Sequence, residues 1–422
     1  MSDSQLQLKA PDRRRDGDAM IDLIAKVFSR GHSYFGMRNT CRDSYVLPSH
    51  YDWKNSRIGF LDGQIVTHYG VWDYAMRIGS CQVRCAGIGA VATHEDYRKR
   101  GLMDLTARAS LDSARADGYD LSLLYGIWNF YHRFGYVSAW PKKNYVIGEN
   151  NLPREAPTVR LRRFLPRHSD VLCRTYNRDH AGLTGTAVRP TYRGPYYMRN
   201  YEGVYWVTRP ALRRSSLRPR SAPAASAPAT WDGYVIYERK GRQLAFTEAC
   251  GPADEVLRVC GALCRKLHCD EARFETFHEQ HPVARRLRAM NCRAEESYTR
   301  SGDAMILTVN LRSTLGKIAP ELSRRLKRSP ESEWSGDLLL RDSREAATLR
   351  IRRGQVEVAD VAAPAPRHAV RGNDFIAQLL IGSDHPLIIA DNEGMRLSGD
   401  ARRLLPWLFP IQYPMLSFCD QF

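Results

Sequence analysis

Arg98-Lys99-Arg100-Gly101, set between the apolar run 88–93 and a helical pattern that begins at Leu102, is the clearest chemical feature of the chain. A strand that feeds a basic, glycine-bearing turn into a helix can hold a pyrophosphate. The first helical amides lack intrahelical partners, the helix dipole favours an anion, and glycine lets the backbone approach closely. The turn is neither a Walker loop, which needs G-x-x-x-x-G-K-[ST], nor a dinucleotide fingerprint, which needs three glycines. Two further groups carry usable chemistry. Trp72 and Asp73 pair an aromatic face with a carboxylate, which suits an ammonium through charge and cation–π attraction, although a plain surface strand would look the same. His94 and Glu95 are base-type residues, but they stand in a turn, where capping or solvation is the simpler role.

The elements that must position these residues follow from periodicity. A short alternating strand at 6–9 precedes Pro11 and Asp12, then an amphipathic helix carries Met20, Leu23, Ile24, Val27 and Phe28. Residues 33–53 read as a looser, aromatic-rich region. Strands are expected at 57–60, 65–76 and 81–93, broken by the turn signals Asp62-Gly63 and Gly79. The helix Leu102–Ala116 should end at Gly118, and a strand at 121–125 should follow. Beyond it runs Asn129-Phe130-Tyr131-His132-Arg133-Phe134-Gly135-Tyr136, which as bare residues is an aromatic packing segment.

The basic turn resembles motif A of the GNAT acyltransferases, R/Q-x-x-G-x-G/A. Arg98 and Gly101 stand in matching positions, and Met103 replaces the small residue of the family. The element order is similar to that of the GNAT fold. Leu121-Ser-Leu-Leu-Tyr-Gly126, followed by the Asn129–Tyr136 run, resembles the Eis ("enhanced intracellular survival") group. The resemblance extends along essentially the whole chain. It implies a mixed α/β fold of two tandem GNAT-type domains and a C-terminal sterol-carrier-protein-like domain, divided as 1–152, 153–305 and 306–422. The central part contains Tyr176-Asn177, Gly185-x-x-Val188-Arg189, Cys250-Gly251-Pro252 and His281-Pro282-Val283-Ala284, with no second R-x-x-G turn of this kind. Within it, 213–230 is rich in Pro, Ala, Ser and Arg and reads as a flexible insertion, since strands at 234–237 and 243–247 continue the domain. The last part is expected to hold a basic helix, Leu311–Lys327, strands at 337–340, 347–351 and 355–359, helices at 373–380 and 400–408, and a strand at 386–391.

The same resemblance implies acetyl-CoA as co-substrate. Cofactor contacts then fall to Arg98, Lys99, Arg100, Gly101, Leu102, Met103 and Asn129. The backbone amides of Val91, Ala92 and Thr93 would polarise the thioester carbonyl. Tyr131 corresponds to the group's general acid, and a phenol of pKa ~10 can protonate a thiolate of pKa ~8.5. The α-carboxylate of the last residue corresponds to the base. This chain ends in Phe422 after an aromatic-rich approach at 413–418, which suits docking more than solvation. Gln421 is neutral where an acidic residue would help to hold a cation, and Asp420 is the candidate to compensate. The implied acceptor is a primary amine (aminoglycoside-like, polyamine or lysine), and the implied assembly is a hexamer. The competing reading of this architecture is a catalytically silent scaffold that binds CoA or a lipid.

Composition bounds these readings. A chain of 422 residues exceeds one ordinary core, and 43% hydrophobic with 26% charged residues describes a soluble globular protein. No apolar run reaches the ~18–20 residues of a membrane span. Met-Ser-Asp-Ser-Gln lacks the regions of a secretory signal, so the expected location is cytoplasmic, without disulfides. Ten cysteines include no C-x-x-C; Cys260, Cys264 and Cys269 with His268 read as buried thiols or, less simply, as a zinc site, and no metal is expected. The net charge of +17 favours acidic partners, CoA phosphates among them. On charge alone it also fits nucleic acid, but the charge is dispersed arginine, densest at 209–220, with no recognition module. Neither nucleic acid nor membrane is therefore an expected partner.

Overall fold

The computed structural model describes residues 5–29, 33–189, 202–207, 231–359 and 367–422. The insertion expected at 213–230 lies outside the described residues. Three sheets organise them. The first runs, in spatial order, through Gln7–Lys9, Arg57–Leu61, Gln64–Ile78, Cys81–Thr93, Leu121–Gly126, Asp303–Thr308 and Val137–Ser138. Its centre is the long hairpin Gln64–Ile78/Cys81–Thr93, which turns at Gly79 with φ +55°. The helix Leu102–Ala116 buries Met103, Ala107, Leu111 and Ala114 against Tyr69, Val71 and Ile88 on one face. The helix Gly17–Phe28 buries Met20, Ile21, Leu23 and Ile24 against Trp72, Ala90 and Ala92 on the other. Strand alternation explains why Val71 and Trp72 serve opposite cores.

The second sheet, in order, is Arg293–Ser297, Lys142–Gly148, Glu271–Glu275, Gln243–Cys250, Gly233–Lys240, Glu202–Trp206 and Arg162–Arg163. The helix Ala253–Lys266 covers it with Val256, Leu257, Val259, Cys260, Leu263 and Cys264. Sheet membership differs from the expected breaks at 152 and 305. Lys142–Gly148 pairs within the second sheet, and Asp303–Thr308 crosses back to pair antiparallel with Leu121–Gly126 in the first. The returning strand is apolar on both faces. Ala304 and Ile306 enter one core, Met305 and Leu307 another, so it can only sit inside a covered sheet.

The third sheet orders Gln355–Val358, Ala346–Arg352, Gly336–Arg341, His368–Arg371 and Arg396–Ser398. The helix Leu311–Lys327 joins it to the first sheet. Its Leu315, Ile318, Leu322 and Leu326 share one core with Met76, Val83 and Cys85 below and Leu338, Leu340 and Leu349 above. Two local expectations need correction. Pro386–Asn392 is a helix rather than a strand, because Pro386 takes a first-turn position where its missing N–H is no loss. The loose stretch at 33–53 contains the helix Tyr34–Thr40, capped by Ser33, which runs on into a wide turn at Cys41–Tyr45.

After the helix Ala401–Leu408 the chain becomes a tail. Gln412 N–H bonds the Gly382 carbonyl at 2.9 Å and Met415 N–H the Thr184 carbonyl at 3.3 Å, beside the hairpin turn of the first sheet, and Ser417 Oγ then donates to Glu248 of the second, central sheet at 2.7 Å. Among the described residues no helix is long and apolar enough to cross a membrane.

Candidate active site

Parallel pairing between Cys81–Thr93 and Leu121–Gly126 runs from Cys85 opposite Leu121 to Ile88 opposite Leu124, and ends there. Beyond Ile88 the two strands part around a cavity of about 920 Å³. One wall is Gly89–Val91, Thr93, the basic turn and the helix start; the other includes Tyr125, Phe130 and Tyr131. Ala90 sits in the gap at φ +48°, a conformation that costs a non-glycine residue energy. The register with the neighbouring strand slips at the same place, so a bulge forms. His68 holds it: Nδ1 lies 2.7 Å from the Ala90 carbonyl and Nε2 2.7 Å from the Tyr51 hydroxyl. With Nδ1 donating to the carbonyl, Nε2 accepts from the tyrosine. Burial lowers the His68 pKa to about 4, so the ring stays neutral.

The anion end is built from backbone. Gly101 is the N-cap of Leu102–Ala116 at φ +73°, and Lys99 stands at φ +60°. Nothing lies within 4 Å of a Cβ placed on Gly101, so glycine is required there for its conformation, not for space. Arg98 N–H bonds the Glu95 carbonyl at 3.3 Å and the next backbone bond runs from Asp104 N–H to the Gly101 carbonyl at 3.1 Å, which leaves the amides of residues 99–103 free of helical partners at the cavity. Arg98 Nε donates to the Thr93 carbonyl at 3.3 Å. Arg98, Lys99, Arg100, Gly101, Leu102 and Met103 all line the cavity, as do Val91 and Thr93. Ala92 turns its side chain to the opposite core. Met103 packs between helix and sheet beside Ala107 and Tyr131, which accounts for a large residue at this position. Asn129 departs from expectation. It is exposed outside the cavity lining, at φ +57°, its N–H on the Ser301 carbonyl at 3.0 Å, because it makes the turn that returns the chain to Tyr131.

Tyr131 is 8% exposed and meets Phe130 edge-on at 4.9 Å and Tyr136 at 6.2 Å. Burial pushes its pKa up to about 12, so the phenol stays protonated. Phe422 occupies the fork between the strands, its ring 5.6 Å from Tyr74 and 6.5 Å from Tyr125. A Cβ on Gly87 would stand 2.5 Å from Phe422 Cδ1. One on Gly89 would stand 2.8 Å from the Phe422 main-chain carbonyl carbon and 2.5 Å from the Tyr45 hydroxyl. Two glycines on the same strand face thus form the trough in which the last residue lies. Sequence reasoning misses Gly87, Gly89 and Tyr45. The available signal is Gly87-Ile88-Gly89 inside an otherwise well-formed strand, a mark of close approach by another group.

The acceptor candidates separate. Trp72 is buried, its indole N–H donating to Ser49 Oγ at 3.0 Å, and its ring edge lies 3.1 Å from the Cβ position of Gly89. Asp73 faces away from it. It pairs with Arg84 at 2.9 Å and borders a separate open cleft with Asp117 and Lys317. Asp420 is not at the cavity either: it is buried and its carboxylate accepts from Arg189 Nε at 2.8 and 3.0 Å. Alternation across the strand explains the first correction and the buried cation the second. Neither His94 nor Glu95 lines the cavity. Cys260, Cys264 and Cys269 are buried, with Cys264 pushed up to about 12 by burial, and His268 is exposed. Among the described residues no group of three or more His, Cys, Asp or Glu side chains is placed to hold a metal ion.

Residues 13–139 match the family model described as an acetyltransferase (GNAT) domain. No curated protein matches the sequence. Among solved structures, the chain is similar to a GCN5-related N-acetyltransferase from Kribbella flavida, with a TM-score of 0.71, 16% identity and 99% of each chain covered. A conserved protein of unknown function from Enterococcus faecalis V583, described as a probable N-acyltransferase, gives a TM-score of 0.74 at 16% identity over 99% of this chain and 100% of that one. Eis1 from Mycobacterium abscessus gives 0.64 at 14% identity over 96% and 97%. At these identities the likeness is one of fold.

Proposed function

We propose, from the premise that residues 13–139 are a GNAT acetyltransferase domain and so imply acetyl-CoA as co-substrate, that this chain is an Eis-like N-acetyltransferase acting on a primary amine by direct transfer. One observation carries the proposal: a basic helix-start turn, Tyr131 and Phe422 border a single cavity where two parallel strands part. The co-substrate supplies an acetyl thioester, and the chain supplies everything else. Arg98, Lys99 and Arg100, with the amides leading into Leu102–Ala116, take the pyrophosphate charge. The amides of residues 91–93 face the thioester oxygen as electrostatic stabilisers. The Phe422 α-carboxylate accepts the proton of the incoming ammonium, freeing the nitrogen lone pair. The Tyr131 hydroxyl donates to the departing sulfur. Because its pKa stands near 12, full transfer to a thiolate of pKa ~8.5 is uphill from rest, so the phenol works as a hydrogen-bond donor that yields its proton as the C–S bond opens. Holding base, acid and both substrates in one pocket converts a bimolecular reaction into a positioned one.

The five-stranded C-terminal unit is proposed as the sterol-carrier-like domain of that architecture, and its part in this reaction is to launch the tail that ends at Phe422. A cytoplasmic setting and a hexameric assembly belong to the same proposal; gel filtration tests the second. The test of function is release of free CoA thiol from acetyl-CoA across primary amines, with Tyr131→Phe and a chain extended past Phe422 alongside. Turnover that both variants reduce supports Tyr131 as acid and the Phe422 carboxylate as base. Variants equal to wild type remove the acid and base assignments. No turnover, with no rise in melting temperature on adding CoA, removes the enzyme.

A further inference from the structure

We infer that the amine acceptor is a monocation on an apolar body, an alkyl- or arylalkylamine, and not a polycation. This rests on the reading of the cavity as an amine acetyltransferase site. The cavity wall away from the basic turn is made by Ile24, Val27, Phe28, Met37 and Tyr45, closed at the fork by the ring of Phe422. Phe28 and Ile127, 42% and 67% exposed, make the mouth apolar as well. Among the described lining residues the one acidic side chain is Asp104, and Arg133 neutralises it at 3.1 Å at the helix start.

The carboxylates that a polycation would need are committed elsewhere. Asp73 is on the far face of the strand with Arg84, and Asp420 is locked to Arg189. With Asp104 paired to Arg133, and Arg98, Lys99 and Arg100 assigned to the co-substrate's phosphates, no acidic side chain among the described lining residues is left to hold a second ammonium. A single ammonium is different: it meets the Phe422 carboxylate, and its hydrocarbon part replaces water along the wall formed by the first two helices. Burying an ammonium without a partner is costly, whereas burying methylenes is favourable, so the wall selects both for one charge and for apolar length.

The test measures kcat/KM with acetyl-CoA for a series from ethylamine to hexylamine and for 2-phenylethylamine, against spermidine, kanamycin and a lysine peptide. The expected result is a rise of about fourfold per methylene along the series, with 2-phenylethylamine well above every polycation. Val27→Asp, which places a carboxylate on a half-buried part of the wall, should lower the value for hexylamine and raise it for spermidine. Spermidine or kanamycin equal to or better than the apolar amines overturns the inference and leaves the acetyltransferase reading standing. A rate that ignores amine length but rises from acetyl-CoA to hexanoyl-CoA also overturns it, since the apolar wall then serves the acyl chain. No turnover with any amine overturns the inference and the underlying reading together.

Discussion

Arg189 donates through Nε to both carboxylate oxygens of Asp420, at 2.8 and 3.0 Å, two positions before the residue that fills the fork of the first sheet. Its remaining nitrogens fork onto Glu248 of the strand Gln243–Cys250, and its guanidinium lies 3.5 Å from the ring centroid of Tyr176. Glu248 also accepts from Tyr234 at 2.6 Å and from Ser417 of the tail at 2.7 Å. One buried cation therefore ties the tail to the central sheet and sets how far Phe422 can reach. Breaking such a pair by removing one partner costs about 3–5 kcal/mol, because the other charge stays buried.

Asp420→Asn should consequently act on the chemical step more than on cofactor binding. The substitution keeps the shape and leaves Arg189 its pairing with Glu248, but it loosens the tail. The expected outcome is a kcat at least about tenfold lower with the KM for acetyl-CoA nearly unchanged, the pattern of a lost transition-state contact. Steady-state kinetics with both substrates varied provides the measurement. An unchanged kcat would mean that the tail is held in register by other contacts.

Gly87 and Gly89 make a sharper prediction about the trough. Alanine at 89 would force the Phe422 carbonyl carbon and the Tyr45 hydroxyl away from positions 2.8 and 2.5 Å from the new methyl. A shift of about 1 Å in a reacting group costs on the order of a hundredfold in rate. Gly89→Ala should therefore lose most activity while its thermal unfolding remains cooperative. The three atoms nearest to a Cβ on Gly87 all belong to the ring of Phe422, so pairing Gly87→Ala with Phe422→Ala, which keeps the carboxylate, should recover part of the loss. Absence of that recovery in the double variant would show that ring and glycine do not share the space.

The parts of the site set by local chemistry were legible in the sequence. The bounds of the helix Leu102–Ala116 and the turn before it follow from apolar periodicity and from a glycine at the helix start, and the bounds of Leu311–Lys327 follow from periodicity alone. What depends on distant partners was not legible. Nothing near Asp420 in sequence says that Arg189 will neutralise it, and although strand alternation sets Trp72 and Asp73 on opposite faces, nothing near Asp73 says that Arg84 will pair with it. Ala90 shows why face assignments fail at such a place: a single positive-φ residue reverses the alternation, so residues on either side of it serve different cores. The exchange of Lys142–Gly148 and Asp303–Thr308 between sheets is likewise a choice made by cores, not by neighbouring residues.

Tyr131→Phe separates the proposed proton donation from the packing. The ring keeps its contacts with Phe130 and Tyr136. The melting temperature should accordingly stay within a few degrees of wild type. The rate should fall by about 10²–10⁴, the usual share of a positioned acid. The loss should shrink when the leaving group is a more acidic thiol, since a thiolate that needs no proton has less use for the phenol. A loss that is equal for acidic and ordinary thiols would assign Tyr131 to positioning instead.

Acid should weaken the fold before it touches most carboxylates, because several histidines are buried neutral. Burial lowers His68 and His281 to about 4 and His278 to about 3. In the unfolded chain each titrates near ~6.5. Between these values the unfolded state binds more protons than the folded one, so stability rises with pH in that window. It is complete above ~6.5, declines as pH falls toward 4, and flattens once the folded imidazoles also protonate. Each histidine adds a slope of about 1.4 kcal/mol per pH unit at most. Denaturant unfolding at several values from pH 7.5 to 4.5 measures the sum. His281→Asn is the informative variant: His281 caps the helix Pro282–Arg288 by accepting from Val283 N–H at 3.3 Å, and asparagine retains that cap while removing the titration. The variant should lose close to one proton from the pH slope; an unchanged slope would place the linkage on other groups.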